Sequence, residues 1–141
     1  MDRNEALDAL ERAEAVGARV RGQGGSYLVY AAGYAALSFG LVLALGLLPS
    51  PAVTITATAV FVVGAAVLVG YQIRRPVTPR GFGWLHGSAM VTWGVLYAVT
   101  LAAGYAWFPG EPAWWIPAAV VCALPLLVAG FVVRARARRA A

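Results

Sequence analysis

Three stretches of this chain, residues 22–73, 81–110 and 112–133, contain no Asp, Glu, Lys or Arg. A run of 18 or more apolar residues without charge reads as a membrane-spanning helix, and a water-soluble domain cannot be assembled from three such runs. Only 12% of the residues are charged, where an ordinary globular domain carries about 25%. The charges that exist are confined to residues 1–21, 74–80, Glu111 and 134–139. The pattern predicts an all-α membrane protein, a four-transmembrane-helix bundle preceded by a short amphipathic cytoplasmic helix.

The first run is long enough for two spans, and Pro49-Ser50-Pro51 divides it. Proline lacks a backbone donor and biases the preceding residue away from helix, so this tripeptide reads as a turn. The expected spans are 27–48, 52–73, 83–108 and 113–133. At about 1.5 Å per residue, each crosses the roughly 30 Å hydrocarbon core with some tilt. Uninterrupted apolar runs do not fit the alternating pattern of a barrel strand.

Arginine sets the expected orientation. All 11 basic residues are Arg, and they precede span one, join spans two and three (Arg74, Arg75, Arg80) or follow span four (Arg134, Arg136, Arg138, Arg139). The loops at 49–51 and 109–112 contain none, so the positive-inside rule places both termini in the cytoplasm. The same arginines are candidate contacts for anionic lipid headgroups. Trp107, Trp114 and Trp115 are expected at the outer interface, and Tyr27, Tyr71 and Trp84 near the inner one. Arginine without lysine, beside abundant Ala, Val and Gly, reads as GC-rich bacterial coding, and the expected location is the inner, or plasma, membrane. The first span follows an acidic segment and has full length, so it is expected to act as an uncleaved anchor. The basic balance is explained by topology, and nucleic acid is not an expected partner.

Ahead of the spans, Ala6, Leu7, Leu10, Ala13, Gly17 and Val20 recur at helical spacing, predicting a cytoplasmic amphipathic helix within 1–21. Asp2 and Glu5 resemble a capping box, and Asp8 with Arg12 forms an i,i+4 pair. The stripe is thin and the helix short, so it should lie against something. Docking on the chain's own basic loop around Arg74, Arg75 and Arg80, or on a second copy, is the favoured expectation, with a membrane or soluble protein partner held through residues 3–20 as the sharper one. Residues 22–26 read as a Gly-rich hinge ending in Ser26, a potential N-cap of span one. Residues 134–141 read as a basic tail.

Within the membrane, Ala32, Ala36, Gly40 and Ala44 form a small-xxx-small stripe on span one. Gly83, Gly87, Gly94, Ala98 and Ala102 do so on span three, and Ala59, Ala66 and Gly70 share one side of span two. These are candidate helix-packing faces, within the chain before between copies. Tyr27, Tyr30 and Tyr34 share a face and predict a polar rim at the cytoplasmic side. Pro125 should kink span four. An offset of 60 aligns Leu41, Pro49, Ala59, Val60, Gly70 and Arg74 with Leu101, Pro109, Ala119, Val120, Gly130 and Arg134, hinting at two related hairpins.

Chemistry is sparse. Ionisable residues inside membranes are the best pointers to function, and His86 is the only one of its kind in the spans apart from Cys122 and the tyrosines. His86 lies on a stripe with Met90, Trp93, Tyr97 and Thr100. It sits too far in depth from Cys122 for the two to share a metal, and one His supplies too few ligands for zinc or haem. No catalytic residue, cofactor or metal is therefore expected. Thr54, Thr56, Thr58, Thr92 and Thr100 are expected to bond their own helix carbonyls at i−4; His86, Thr54, Thr58 and Thr100 are the candidates for a polar lining. The main functional expectation is a non-enzymatic accessory or interaction subunit using its N-terminal helix as a contact arm. The alternative is an oligomeric channel or facilitator for a small neutral or apolar solute.

Overall fold

The computed structural model describes residues 3–74 and 82–139, with only the backbone at 20, 21, 23, 24 and 82. Four helices follow in order: α1 (Arg3–Leu47), α2 (Pro51–Ile73), α3 (Phe82–Trp107) and α4 (Pro112–Arg139), with no strand among the described residues. Each contains a segment long and apolar enough to cross a membrane. The chain is a multi-pass membrane protein built as an all-α bundle.

The turns form where proline and local hydrogen bonds dictate. Ser50 caps α2 by accepting from the backbone N–H of Val53 at 3.2 Å, and Pro51 takes the first helical position, where its missing N–H costs nothing. Between α3 and α4, Gly110 adopts φ +74°, a conformation that disfavours any side chain. Arg74 ends α2 as its C-cap. Arg75 and Arg80 lie outside the described residues, as does Asp2 of the expected capping box.

One expectation fails at the charged end. The helix break expected over residues 22–26 does not occur: α1 is continuous through the glycines, and Ser26 is a buried residue inside the helix rather than an N-cap. The basic segment after Val133 is helical as well, since α4 runs to Arg139. Arg and Ala are strong helix formers, and basic residues complement the helix C-terminus. Gly130 packs against Leu28 and Ala31 of the antiparallel α1, and two turns further on Ala137 is buried as well.

Helix α1 is the organising element. It packs most extensively on α4, then on α2, and only slightly on α3, while α3 packs on α4. Among the described residues the backbones of α2 and α3, and of α2 and α4, do not approach each other closely. Two related hairpins would pack α3 on α2 as α1 packs on α4, so the packing does not repeat. Helix α2 touches the bundle along one face, where Leu68 covers Gly33 and Leu37 covers Gly64, and none of its residues is buried.

The small-residue stripes face outward. Ala32, Ala36, Gly40, Gly83, Gly87, Ala98 and Ala102 are exposed, and Ala44 and Gly94 are half-buried; on α2, Ala59 and Ala66 are exposed too, with Gly70 open to added volume. The faces that do pack are set one step round each helix: Ala31, Ala35, Ser38 and Val42 on α1 and Ala119, Cys122, Ala123 and Ala129 on α4. Stripes at i+4 and seams at alternating i+3 and i+4 overlap in sequence, and only the neighbours decide which one is used.

Trp115 also departs from the interfacial belt. It is fully buried, its indole N–H donates to the Phe108 carbonyl at 3.0 Å, and Gly46 and Gly104 make room for its rings. Trp107 and Trp84 remain exposed as belt residues. Pro117 and Pro125 do not interrupt α4. Pro125 borders an apolar recess of about 400 Å³ between α3 and α4.

Candidate functional site

The residues that distinguish this chain collect at its arginine-bearing end, in an aromatic cluster and a helical arm.

The aromatic cluster joins two sets that were separate in the sequence, the α1 tyrosines and the α3 stripe. Tyr30 lies 5.8 Å from Tyr27 and 5.7 Å from His86 between ring centroids. Deeper in, Tyr34 packs edge-on against Phe61 and Trp93, which stack on each other at 5.7 Å with an interplanar angle of 10°. Tyr97 continues the column from Trp93 at 5.3 Å. The Trp93 indole donates to Ser38 Oγ at 2.6 Å, and Tyr27 Oη lies 3.3 Å from His86 Nδ1. The tyrosines are therefore buried in the bundle and do not form the expected rim. The Phe61–Trp93 stack bridges α2 and α3 across the face of α1. Below it, toward the arginine-bearing end, the two helices leave a cavity of about 110 Å³ lined by Tyr30, Val69, Gln72, Ile73 and His86.

The polar candidates do not converge. Thr54 bonds the Ser50 carbonyl at 3.1 Å and Thr92 the Ser88 carbonyl at 2.8 Å, both at i−4 as expected. Thr58 is exposed on α2. Thr100 instead faces the bundle, 3.4 Å from Cys122 Sγ. His86, Thr54, Thr58 and Thr100 thus share no common surface. No group of three or more metal-ligating side chains occurs among the described residues. Arg134, Arg138 and Arg139 border one recess with Phe131, and Arg136 is not part of its lining.

The second feature is the arm. Residues 3–19 continue α1 past the end of α4 for about 25 Å. In the membrane, α1 buries Tyr27, Ala31, Tyr34, Ser38, Leu41 and Leu45, a strict alternation of three and four residues. Continued toward the N-terminus, the same alternation passes through Ala6, Leu10, Ala13 and Gly17. The buried seam thus extends onto the arm, where nothing described covers it: Leu10 is 61% exposed, with Leu7 and Val16 similarly open. Asp8 and Arg12 pair at 4.0 Å on the opposite, solvated face. Docking of this stripe on the chain's own Arg74 region is not observed, since the stripe runs away from the bundle; Arg75 and Arg80 lie outside the described residues. Sequence reasoning found the stripe but missed its continuity with span one, because the glycines looked like a boundary.

No protein-family model, curated protein or solved structure matches the chain.

Proposed function

We propose that this protein is a non-enzymatic membrane subunit that recruits a partner protein through the N-terminal arm of α1. The observation that carries the reading is the single seam running from Leu45 to Ala6, buried in the bundle interior along the membrane span and open beyond it. An apolar seam at 3.5-residue spacing, with charges on the other face, is the surface on which an amphipathic helix packs. Because α1 is continuous, a helix docked there is held in line with the bundle, and its position is transmitted to the α1–α4 interface. The arm's acids, Glu5, Asp8, Glu11 and Glu14, make an anionic lipid surface a poor alternative receptor.

The orientation belongs to the same proposal. With all arginines at one end, both termini lie in the cytoplasm and the protein resides in a bacterial inner membrane, where Arg134, Arg138 and Arg139 meet anionic headgroups. After Cys122→Ser, single cysteines at Arg3→Cys and Ala113→Cys give opposite labelling with an impermeant maleimide on intact cells. Labelling of Arg3→Cys from outside overturns the topology.

The arm is tested by in-cell photocrosslinking from positions 7, 10 and 16 in the full chain, with positions 8 and 12 on the opposite face as controls. A discrete crosslinked protein from positions 7, 10 and 16 alone, on and beside the seam, lost in a Leu7→Ser, Leu10→Ser, Val16→Ser variant that still inserts, supports the reading. Equal crosslinking from both faces removes it. Neutral-solute flux by purified protein in proteoliposomes, unchanged by deleting residues 1–21, would favour the facilitator instead.

A further inference from the structure

The open stripe on the arm has a fixed direction. Along the span the same seam faces the bundle interior, buried at Ala31, Ser38 and Leu45, and α1 is one unbroken helix. A helix docked on Ala6, Leu10, Ala13 and Gly17 therefore stands over the arginine-bearing end of the bundle. A second copy of this chain cannot supply that helix. Helices that meet through such a seam lie about 8–10 Å apart. A second α1, inserted in the same sense and equally continuous, would have to run down through the first bundle.

The place so defined differs in charge along its length. Beside the stripe the arm carries Glu5, Asp8, Glu11 and Glu14 against Arg3 and Arg12. At its base stand Arg19, Arg74, Arg134, Arg136, Arg138 and Arg139, all exposed. No acid in the sequence opposes them there: beyond the four on the arm the chain has only Asp2, near the arm's far tip, and Glu111, at the opposite end of the bundle. The segment 75–81 contributes Arg75 and Arg80 and no acid, so the sign of this end does not depend on its path. An occupant meets an acidic shaft and a basic base.

We infer that the arm's partner is an amphipathic helix of the complementary polarity, apolar where it meets Leu10, basic along the shaft and acidic at the end that meets the arginines. The inference rests on the recruiting role proposed above and names the chemistry of the recruit. The apolar stripe supplies affinity, and the two signs of charge set register and reject helices of a single sign.

The probes are synthetic amphipathic peptides with one leucine stripe and about 18 residues, matching the arm. They carry Glu at one end and Lys at the other, in both polarities, or Lys throughout, or Glu throughout. Binding to the full chain in phosphatidylcholine nanodiscs, a bilayer without net charge, is read by fluorescence anisotropy. One polarity of the two-signed peptide should bind about tenfold tighter than either uniform peptide, the effect of a few exposed ion pairs. An Arg134→Gln, Arg138→Gln, Arg139→Gln variant should erase that advantage, as should high salt. The Leu7→Ser, Leu10→Ser, Val16→Ser variant should lose binding of every peptide. Equal binding of uniform and two-signed peptides overturns the inference, as does an advantage that survives the arginine substitutions, or no binding at all. Disulfide-linked dimers of a Cys122→Ser, Leu10→Cys chain in native membranes overturn it too, since they make a second copy the occupant. Crosslinking of another protein from positions 7, 10 and 16 without any peptide preference removes this inference and leaves the recruiting arm. Loss of both the crosslink and the peptide binding removes the two together.

Discussion

Glycine and tryptophan carry the tightest constraints in the bundle. A Cβ at Gly46 would overlap the buried Trp115 ring, and neither a helix backbone nor a fully enclosed indole can step aside. Gly46→Ala should destabilise the protein by about 1–3 kcal/mol, the usual range for overpacking a filled core, read as a lowered midpoint of denaturation in mixed micelles. Trp93 is a second such position. Its N–H satisfies the fully buried Ser38 hydroxyl, so Trp93→Phe should cost about 1–3 kcal/mol by leaving that oxygen unpaired. Double substitution with Ser38→Ala should recover part of the loss, and a double-mutant cycle measures the coupling. In the sequence Gly46 was a generic membrane residue, and Trp93 was legible only as a member of the His86 stripe. The signal was absent because a glycine's neighbour and an indole's acceptor come from other helices.

At the scale of the element, α1 shows how far local propensity can mislead. Gly22, Gly24 and Gly25 argue for a linker, since each costs about 1 kcal/mol relative to alanine in a helix. Yet the helix persists from Arg3 to Leu47. A Cβ at Gly22 or Gly25 meets nothing within 4 Å. Gly22→Ala with Gly25→Ala should therefore stabilise α1 by up to about 2 kcal/mol, seen as slower amide hydrogen exchange across residues 18–26. Gly25→Pro should do the reverse and uncouple the arm. If the arm works by rigid alignment, the alanine pair keeps partner crosslinking and the proline variant loses it while insertion is normal.

For the whole molecule, the unequal packing predicts an order of disassembly. Helix α2 is held on α1 by the reciprocal Leu68–Gly33 and Leu37–Gly64 contacts and by Phe61, which packs on Tyr34 and stacks on Trp93 of α3. Lipid is as apolar as leucine, so association here rests on van der Waals fit rather than on removal from water. Leu37→Ala with Leu68→Ala should release α2 before the α1–α4 pair loosens. Hydrogen exchange resolved by segment should show α2 exchanging first, with α1 and α4 protected. Simultaneous exchange of all four helices would mean that α2 is anchored as firmly as the core.

The sequence by itself determined the number of spans, their turns and the all-α membrane class. Those follow from the length of uncharged runs, the reach of a helix and the need to satisfy every backbone group in lipid. It also marked Asp8 with Arg12 and the i−4 bonds of Thr54 and Thr92, since all of these are local. Only the tertiary structure decided which side of each helix is the interior. In water, burial is written as an alternation of apolar and polar residues; in a membrane span every face is apolar, so the pattern that would point inward is missing. That is why Ala32, Ala36 and Gly40 turned out to face lipid while Ala31, Ala35 and Ser38 pack. It is also why the meeting of Tyr30, Gln72 and His86 from three helices became visible only once the helices were placed.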